Sequence, residues 1–291
     1  MGSEKCAVCD GNLSAELLVH SQPDRFEQYV GISSKDYVRR WLECENCGTA
    51  TNIHQTENLE KLRNIASNYY EIDFSNSTIA EKYNKIMALP DDESDNADRV
   101  NRIQRLLERF KHITNAPRKV LDIGAGTGVF LSKFLKEEEK TSRDWLALGV
   151  EPDPKAVQHL RGLGFFKVDE KIYDEAYEGN NYDLITLNKV VEHLENPNEL
   201  IASAGRGLCK DTGILYVEVP DVLTIGRRSD TDNIVGALHN YLYSTQGLEI
   251  SFKRAGMETL GVFRIVEPSG KLSVAGFAVW PEFIDRWAAW T

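Results

Sequence analysis

The chain has 291 residues, 42% of them hydrophobic and 27% charged, with a formal net charge of -11. That composition suits a soluble globular protein of one large or two modest domains. It argues against a nucleic-acid backbone as partner, because Arg39-Arg40 and Arg227-Arg228 are too small to make a basic patch. No run approaches the ~20 apolar residues that cross a membrane, and the stretch from Met1 to Cys6 lacks an apolar leader core. The expectation is a cytoplasmic chain with no membrane partner.

Four of the five cysteines form two C-x-x-C pairs, Cys6/Cys9 and Cys44/Cys47, with 34 residues between them. Each pair sits on a turn, Cys9-Asp10-Gly11 and Cys47-Gly48. Two such knuckles complete a tetrahedral four-sulfur zinc site with no open position, hence a structural one. Disulfides are the competing reading, and a cytosolic chain disfavours them. Residues 1–58 therefore read as a zinc-binding ribbon, and Cys209, alone on an apolar stretch, as a core residue. Residues 59–115 read as a helical linker or cap. Leu59, Leu62 and Ile65 mark a helix before Asn68-Tyr69-Tyr70, and residues 90–96 read as a flexible loop. Val100, Ile103, Leu107 and Phe110 form a helical stripe whose arginines read as a solvent face.

Residues 116–291 form the core of the reading. Lys119 to Ile123 is a short buried strand, and three glycines at alternate positions follow: Gly124, Gly126 and Gly128. Phe130, Leu131, Phe134 and Leu135 then repeat at helical spacing. Strand, glycine turn and helix open a nucleotide-binding α/β unit, in which the helix N-terminus points free N–H groups at the ligand. A second apolar strand, Leu146 to Val150, ends in Glu151. That acid lies 23 residues past Gly128, where such folds bind ribose hydroxyls. A helix from Pro152-Asp153-Pro154, a third strand around Phe165, Phe166 and Val168, and a fourth strand, Tyr182 to Leu187, come next. The fifth strand is Gly213 to Val219, and residues 221–238 form a loop over the sheet edge where a substrate lid belongs. Ser244 reads as the N-cap of a helix closed by Gly256. Glu258–Val266 and Leu272–Trp280 read as a hairpin. The tail, with Phe283, Ile284, Trp287 and Trp290, reads as an amphipathic helix on the body or as a homodimer contact.

The run Asp122-Ile123-Gly124-Ala125-Gly126-Thr127-Gly128 resembles motif I of the class I S-adenosylmethionine (SAM)-dependent methyltransferases. Asn188-Lys189-Val190-Val191-Glu192-His193-Leu194-Glu195-Asn196-Pro197 resembles their motif after strand 4. The resemblance implies an α/β fold, a Rossmann-like seven-stranded sheet, parallel with a C-terminal antiparallel hairpin, preceded here by the zinc ribbon. It implies SAM contacts from Asp122, Gly124, Ala125, Gly126, Thr127, Gly128, Phe130, Glu151, Pro152, Asp169 and Asn188. Asp122 would sit near the ammonium group, and Asp169 near adenine. His193 would lie by the transferred methyl as base or substrate orienter; His239, Tyr241 and Tyr243 would reach the substrate.

Zinc knuckles, linker helices and then this core make an order similar to the sugar and small-molecule methyltransferases of deoxysugar and polysaccharide pathways. That implies a small polar substrate, a nucleotide-linked or other sugar, with SAM and structural Zn2+ as cofactors. The carbon methyltransferases of this type carry a Tyr-His-Glu-His-like run. Here only His239 matches it, behind Gly236, Ala237 and Leu238, so the expectation is O- rather than C-methylation. The rival readings are a zinc-knuckle rRNA methyltransferase and a non-catalytic zinc-ribbon assembly protein.

Overall fold

In a computed structural model, residues 4–62, 77–110, 118–140 and 144–289 are described. Ile65, the Asn68-Tyr69-Tyr70 segment and Trp290 lie outside them.

The N-terminal module is β1 (Leu13–His20), α1 (Arg25–Tyr29), β2 (Arg39–Cys44), β3 (Ala50–Ile53) and α2 (Thr56–Leu62). Asp24 and Glu27 form a capping box on the short α1. The three strands pair antiparallel in the order β1-β2-β3.

Two helices lead into the main sheet, α3 (Ile79–Met87) and α4 (Asp95–Arg109). Of the stretch expected to be a flexible loop, Asp91–Glu93 is a 3-10 turn, and Ser94 caps α4 by accepting from the Ala97 N–H at 3.3 Å. The reason is chemical: a Ser followed by acids in the first helical turn is a helix start. Val100, Ile103 and Leu107 are buried on one face of α4 against Phe130, Phe134 and Phe283. At about 1.5–3 kcal/mol for each buried side chain, this stripe anchors the helix. The arginines, however, are not a solvent face. Arg99 is buried, and both Arg99 and Arg102 reach Glu218 inside the protein.

The main sheet takes β4 (Arg118–Ile123), β5 (Trp145–Glu151), β6 (Lys167–Glu170), β7 (Leu184–Asn188), β8 (Ile214–Pro220), and later β10 (Glu258–Val266) and β11 (Leu272–Val279). Its order is β10-β11-β8-β7-β4-β5-β6. The contacts β8-β7-β4-β5-β6 are parallel, and β11 is antiparallel to both neighbours. This is the seven-stranded sheet with a terminal antiparallel hairpin that the sequence implied. Every residue of β8 is buried, as a central strand covered on both faces requires. Helices α5 (Val129–Glu139), α6 (Pro154–Leu163), α7 (Pro197–Gly207), α8 (Thr245–Arg254) and α9 (Pro281–Ala288) cover the sheet. Ser244 caps α8, as expected. In α9, Phe283 is fully buried and meets Phe110 edge-on at 5.1 Å, so the tail packs on the body.

A two-residue strand, β9 (Tyr241–Leu242), leaves the C-terminal half and pairs antiparallel with β3. The ribbon sheet therefore has the order β1-β2-β3-β9. Nearby, Asn198 donates to the carbonyls of Ala7 and Val8, Ser244 Oγ to that of Cys47, and Arg254 pairs with Asp10.

Candidate active site

At the carboxyl end of β4 the chain turns through Gly124, Gly126 and Gly128, with φ values of +74°, +57° and +78°. The amides of Gly124 and Ala125 donate to Val150 O at 2.8 and 3.1 Å, fixing the turn against β5. A Cβ on Gly124 would stand 2.6 Å from Val190 Cγ2, and one on Gly128 would stand 2.5 Å from Leu160 Cδ2. Positive φ and close packing together restrict both positions to glycine. α5 starts directly after Gly128.

A cavity of about 680 Å³ opens over this turn. Asp122, Gly124, Ala125, Gly126, Thr127, Phe130, Glu151, Pro152 and Asn188 line its first part. Nine of the expected cofactor residues are thus brought together, while Gly128 starts the helix beneath. Asp169 is not at the wall, and its carboxylate accepts from Tyr177 OH at 2.8 Å.

Asp122 is buried. Its Oδ1 accepts from Thr186 Oγ1 at 2.6 Å and from Asn188 Nδ2 at 2.9 Å. Burial nevertheless pushes its carboxyl up to about 7. Glu151 accepts from the Gly126 and Asp153 amides at 2.9 and 3.0 Å, and burial raises it too. Asn188 Oδ1 is buried and accepts nothing from the described residues. An orphaned acceptor beside a buried acid is a fitting berth for an ammonium group.

Asn96, Arg99, Lys189, Val190, His193, Glu195, Ala237, Leu238 and Asn240 line the far part of the cavity. Lys189 has φ +59°, an uncommon conformation for a lysine that clusters at functional sites. Its Nζ lies 3.0 Å from Glu267 and 3.5 Å from Glu218. Glu218 also takes Arg99 Nε at 3.0 Å, Arg102 Nη2 at 3.2 Å and the Tyr216 hydroxyl at 2.5 Å. Burial disfavours its charge, but Arg99 and Lys189 outweigh burial and hold Glu218 well below the usual carboxylate range.

His193 stands at the cavity wall in the 3-10 turn Val191–His193, and its Nδ1 lies 2.8 Å from Leu238 O. A carbonyl only accepts, so the Nδ1 of His193 carries a proton in this bond. The His239 ring packs behind it, centroids 4.7 Å apart and planes tilted by 58°, its Nδ1 donating to Ile234 O at 2.7 Å. Burial, with His193 alongside, lowers His239 to about 3. Tyr241 and Tyr243 are buried away from the wall, and the Tyr241 hydroxyl donates to Glu195 O at 2.8 Å. Neither Arg227 nor Arg228 lines the cavity, and Arg228 pairs with Asp232 at 2.6 Å.

The four N-terminal cysteines converge, their sulfurs all within 4.8 Å of one another. The Cys6–Cys47 and Cys9–Cys44 separations are 3.8 and 3.4 Å. Sulfurs at about 2.3 Å from one zinc in a tetrahedron stand roughly 3.8 Å apart, so the donor set fits. A Cβ on Gly11 would lie 2.8 Å from Cys44 Sγ, and only glycine allows this knuckle to close. The contact between Cys6 and Cys47 raises one thiol and lowers the other, the direction expected when two sulfurs share one proton.

The sheet order, the glycine turn with its acid at the end of β5, and the cavity over them define a class I SAM-dependent methyltransferase. Residues 95–261, more than half of the chain, match the methyltransferase-domain family, and the chain belongs to it. A malonyl-[acyl-carrier protein] O-methyltransferase of Halalkalibacterium halodurans is 26% identical over 187 residues, 62% of this chain and 69% of that protein. Among solved structures, the magnesium protoporphyrin IX methyltransferase of Synechocystis PCC 6803, with SAH bound, is 15% identical. That match covers 75% of this chain and 99% of the other with a TM-score of 0.53. The CurJ carbon methyltransferase is 14% identical over 72% of this chain and 61% of the other, with a TM-score of 0.50. Both share the fold.

Proposed function

We propose that the protein transfers a methyl group from SAM to an oxygen of a small polar metabolite, a nucleotide-linked or other sugar. The observation that carries this reading is the cavity itself. It runs from the glycine turn to His193 and passes from the orphaned acceptor at Asn188 to a mixed wall, with Asn96, Glu195 and Asn240 set among Leu59, Leu62, Leu194 and Leu238. Its volume suits a cofactor with a small acceptor rather than a macromolecule. Asn96, Glu195 and Asn240 offer the donors and acceptors that a polyhydroxylated molecule needs.

In this reading Asp122 and Asn188 hold the cofactor's ammonium, Glu151 and Pro152 its ribose, and Gly124 to Gly128, with Phe130, its flank. Bound there, SAM supplies an electrophilic methyl on a sulfonium sulfur. His193, with a proton on Nδ1, takes the acceptor's hydroxyl proton at Nε2. His239 backs its ring, and Tyr241 steadies the loop through Glu195. The 26% identical relative is named for O-methyl transfer, which supports oxygen over carbon.

The four cysteines hold a structural Zn2+. Its role is architectural, since the ribbon grips the segment that forms the cavity wall. Asn52 donates to Gly236 O at 3.2 Å and to His239 O at 2.8 Å, and Arg39 to Val235 O at 2.9 Å.

Calorimetry with SAM, followed by mass spectrometry of nucleotide sugars and free sugars incubated with enzyme and SAM, tests the reading. A single added methyl on one acceptor is the expected result. No SAM affinity would end it. Binding of RNA at low salt, with methylation of that RNA, would instead favour an rRNA substrate.

A further inference from the structure

Beside the cavity, Glu192, His193 and His239 each bring one ligand atom within 4.8 Å of the others. Glu192 is completely buried, and neither carboxylate oxygen accepts a hydrogen bond from any described residue. Burial raises its carboxyl, and His193 and then Lys189 are the groups that oppose this, although the Lys189 ammonium sits on Glu267 and Glu218. A buried carboxyl in this situation keeps its proton until a positive partner arrives to take the proton's place.

The two imidazoles supply the rest of the setting. Each is held at Nδ1 by a backbone carbonyl, Leu238 O for His193 and Ile234 O for His239. The proton is therefore on Nδ1 and the lone pair on Nε2 in both rings. A carbonyl behind one ring nitrogen is the arrangement that orients histidine for a metal at the other. The backbone also fixes the cluster from both sides. Asn240 N donates to Glu192 O at 2.7 Å, and Asn240 Nδ2 donates to His193 O at 2.9 Å.

We propose that Glu192, His193 and His239 bind a divalent transition-metal ion whose open coordination positions face the acceptor end of the cavity. Two imidazoles and one carboxylate are the donor set of facial sites that hold first-row divalent ions and leave room for a substrate oxygen. Ligands at roughly 2.0–2.2 Å from one ion stand roughly 3 Å apart when adjacent. Binding would draw the three ligand atoms closer than their present spacing, which lies within 4.8 Å. His193 lines the cavity while the other two lie behind it, so the exposed side of the ion looks toward the acceptor. A hydroxyl or carboxylate oxygen is the ligand such a position takes, and the ion would acidify a bound hydroxyl. The inference shares its location with the proposed methyl-transfer site and replaces one step of it: with the ion on His193 Nε2, the ion rather than the imidazole acidifies the acceptor hydroxyl, whose proton passes to solvent, whatever the acceptor's identity.

The test uses the full chain, stripped with a chelator and titrated with Co2+, with metal counted by mass spectrometry after desalting. Wild type is expected to take up one ion without a thiolate-to-cobalt charge-transfer band, in addition to whatever the cysteines hold. Glu192→Gln, His193→Asn and His239→Asn are expected to weaken that ion at least tenfold while keeping the thiolate band. Thermal unfolding supplies the folding control: Co2+ should raise the Tm of wild type beyond what it does for Glu192→Gln. An unchanged count in Glu192→Gln, or no thiolate-free ion in wild type, would overturn the proposal. Full-rate methyl transfer by Glu192→Gln would also overturn it and leave the proposed function standing. Absent SAM binding with the ion present would do the reverse.

Discussion

Replacing Asp122 with Asn separates what this acid does for the empty protein from what it does for the cofactor. Asp122 is 2% exposed, and its carboxyl is raised from 3.8 to about 7. Roughly three pH units at about 1.4 kcal/mol each give a cost of about 4 kcal/mol for holding it charged. The sign follows from the direction. The folded chain holds this proton more tightly than the unfolded chain, so the contribution is fully favourable below pH 3.8 and is lost as pH rises through 7. Asn keeps an oxygen for Thr186 and Asn188 and carries no charge. Ligand-free Asp122→Asn is therefore expected to be more stable than wild type at pH 8 by about 2–4 kcal/mol, with the gain shrinking to nothing near pH 4. SAM affinity should move the other way, since the ammonium loses its counter-ion. At pH 7.5 the variant should bind at least tenfold more weakly. Wild-type affinity should fall with acidification below pH 7, while that of the variant stays flat. Thermal unfolding from pH 4 to 8 and calorimetry from pH 5.5 to 7.5 read both arms. A lower Tm for the variant at pH 8, or a wild-type affinity indifferent to pH, would refute the reasoning.

Gly128→Ala should cost about 1–3 kcal/mol from positive φ alone, and more from the contact with Leu160; thermal unfolding and SAM calorimetry should both register it. Arg99→Met leaves Glu218 short of its main partner in a buried site, and a loss of about 3–5 kcal/mol in denaturant unfolding is expected. Glu218, held low in the folded state, contributes stability that is present above its unfolded value and lost as pH falls, so Arg99→Met should flatten the acid limb of the stability profile. Stripping metal from the cysteines, or Cys47→Ser, should abolish methyl transfer while leaving SAM calorimetry within a few-fold, because the ribbon holds the acceptor wall and not the glycine turn. Equal loss of both would place the ribbon's influence elsewhere.

The glycine turn, Glu151 at its strand end, the C-terminal hairpin and the cysteine pairs were legible because each is a short-range pattern with one cheap geometric solution. The far wall was not. Arg99 lies in a polar-looking helix, yet it is three and four residues from Asn96 and Ile103 and shares their inward side. The available signal was Glu218, an acid inside the otherwise apolar Ile214–Val219, which demands a buried cation. Lys189, Asn240 and the Ala237-Leu238 segment reach the cavity only through long-range packing, and periodicity carries no trace of that. Tyr241 looked substrate-facing because it sits in a polar-aromatic cluster. Its backbone instead completes the ribbon sheet, a pairing between residues 51 and 241 that local sequence does not encode.

That pairing also sets an order of events at the ribosome. β1, β2 and β3 emerge early and are successive antiparallel neighbours in one small sheet. Its outer edge then waits, with unpaired N–H and C=O groups at Ala50 and Thr51, until nearly two hundred further residues have been made and Tyr241 and Leu242 arrive to cover it. During that interval the nascent chain carries an open strand edge of the sort that other chains can capture. Truncation before residue 241 would make the exposure permanent.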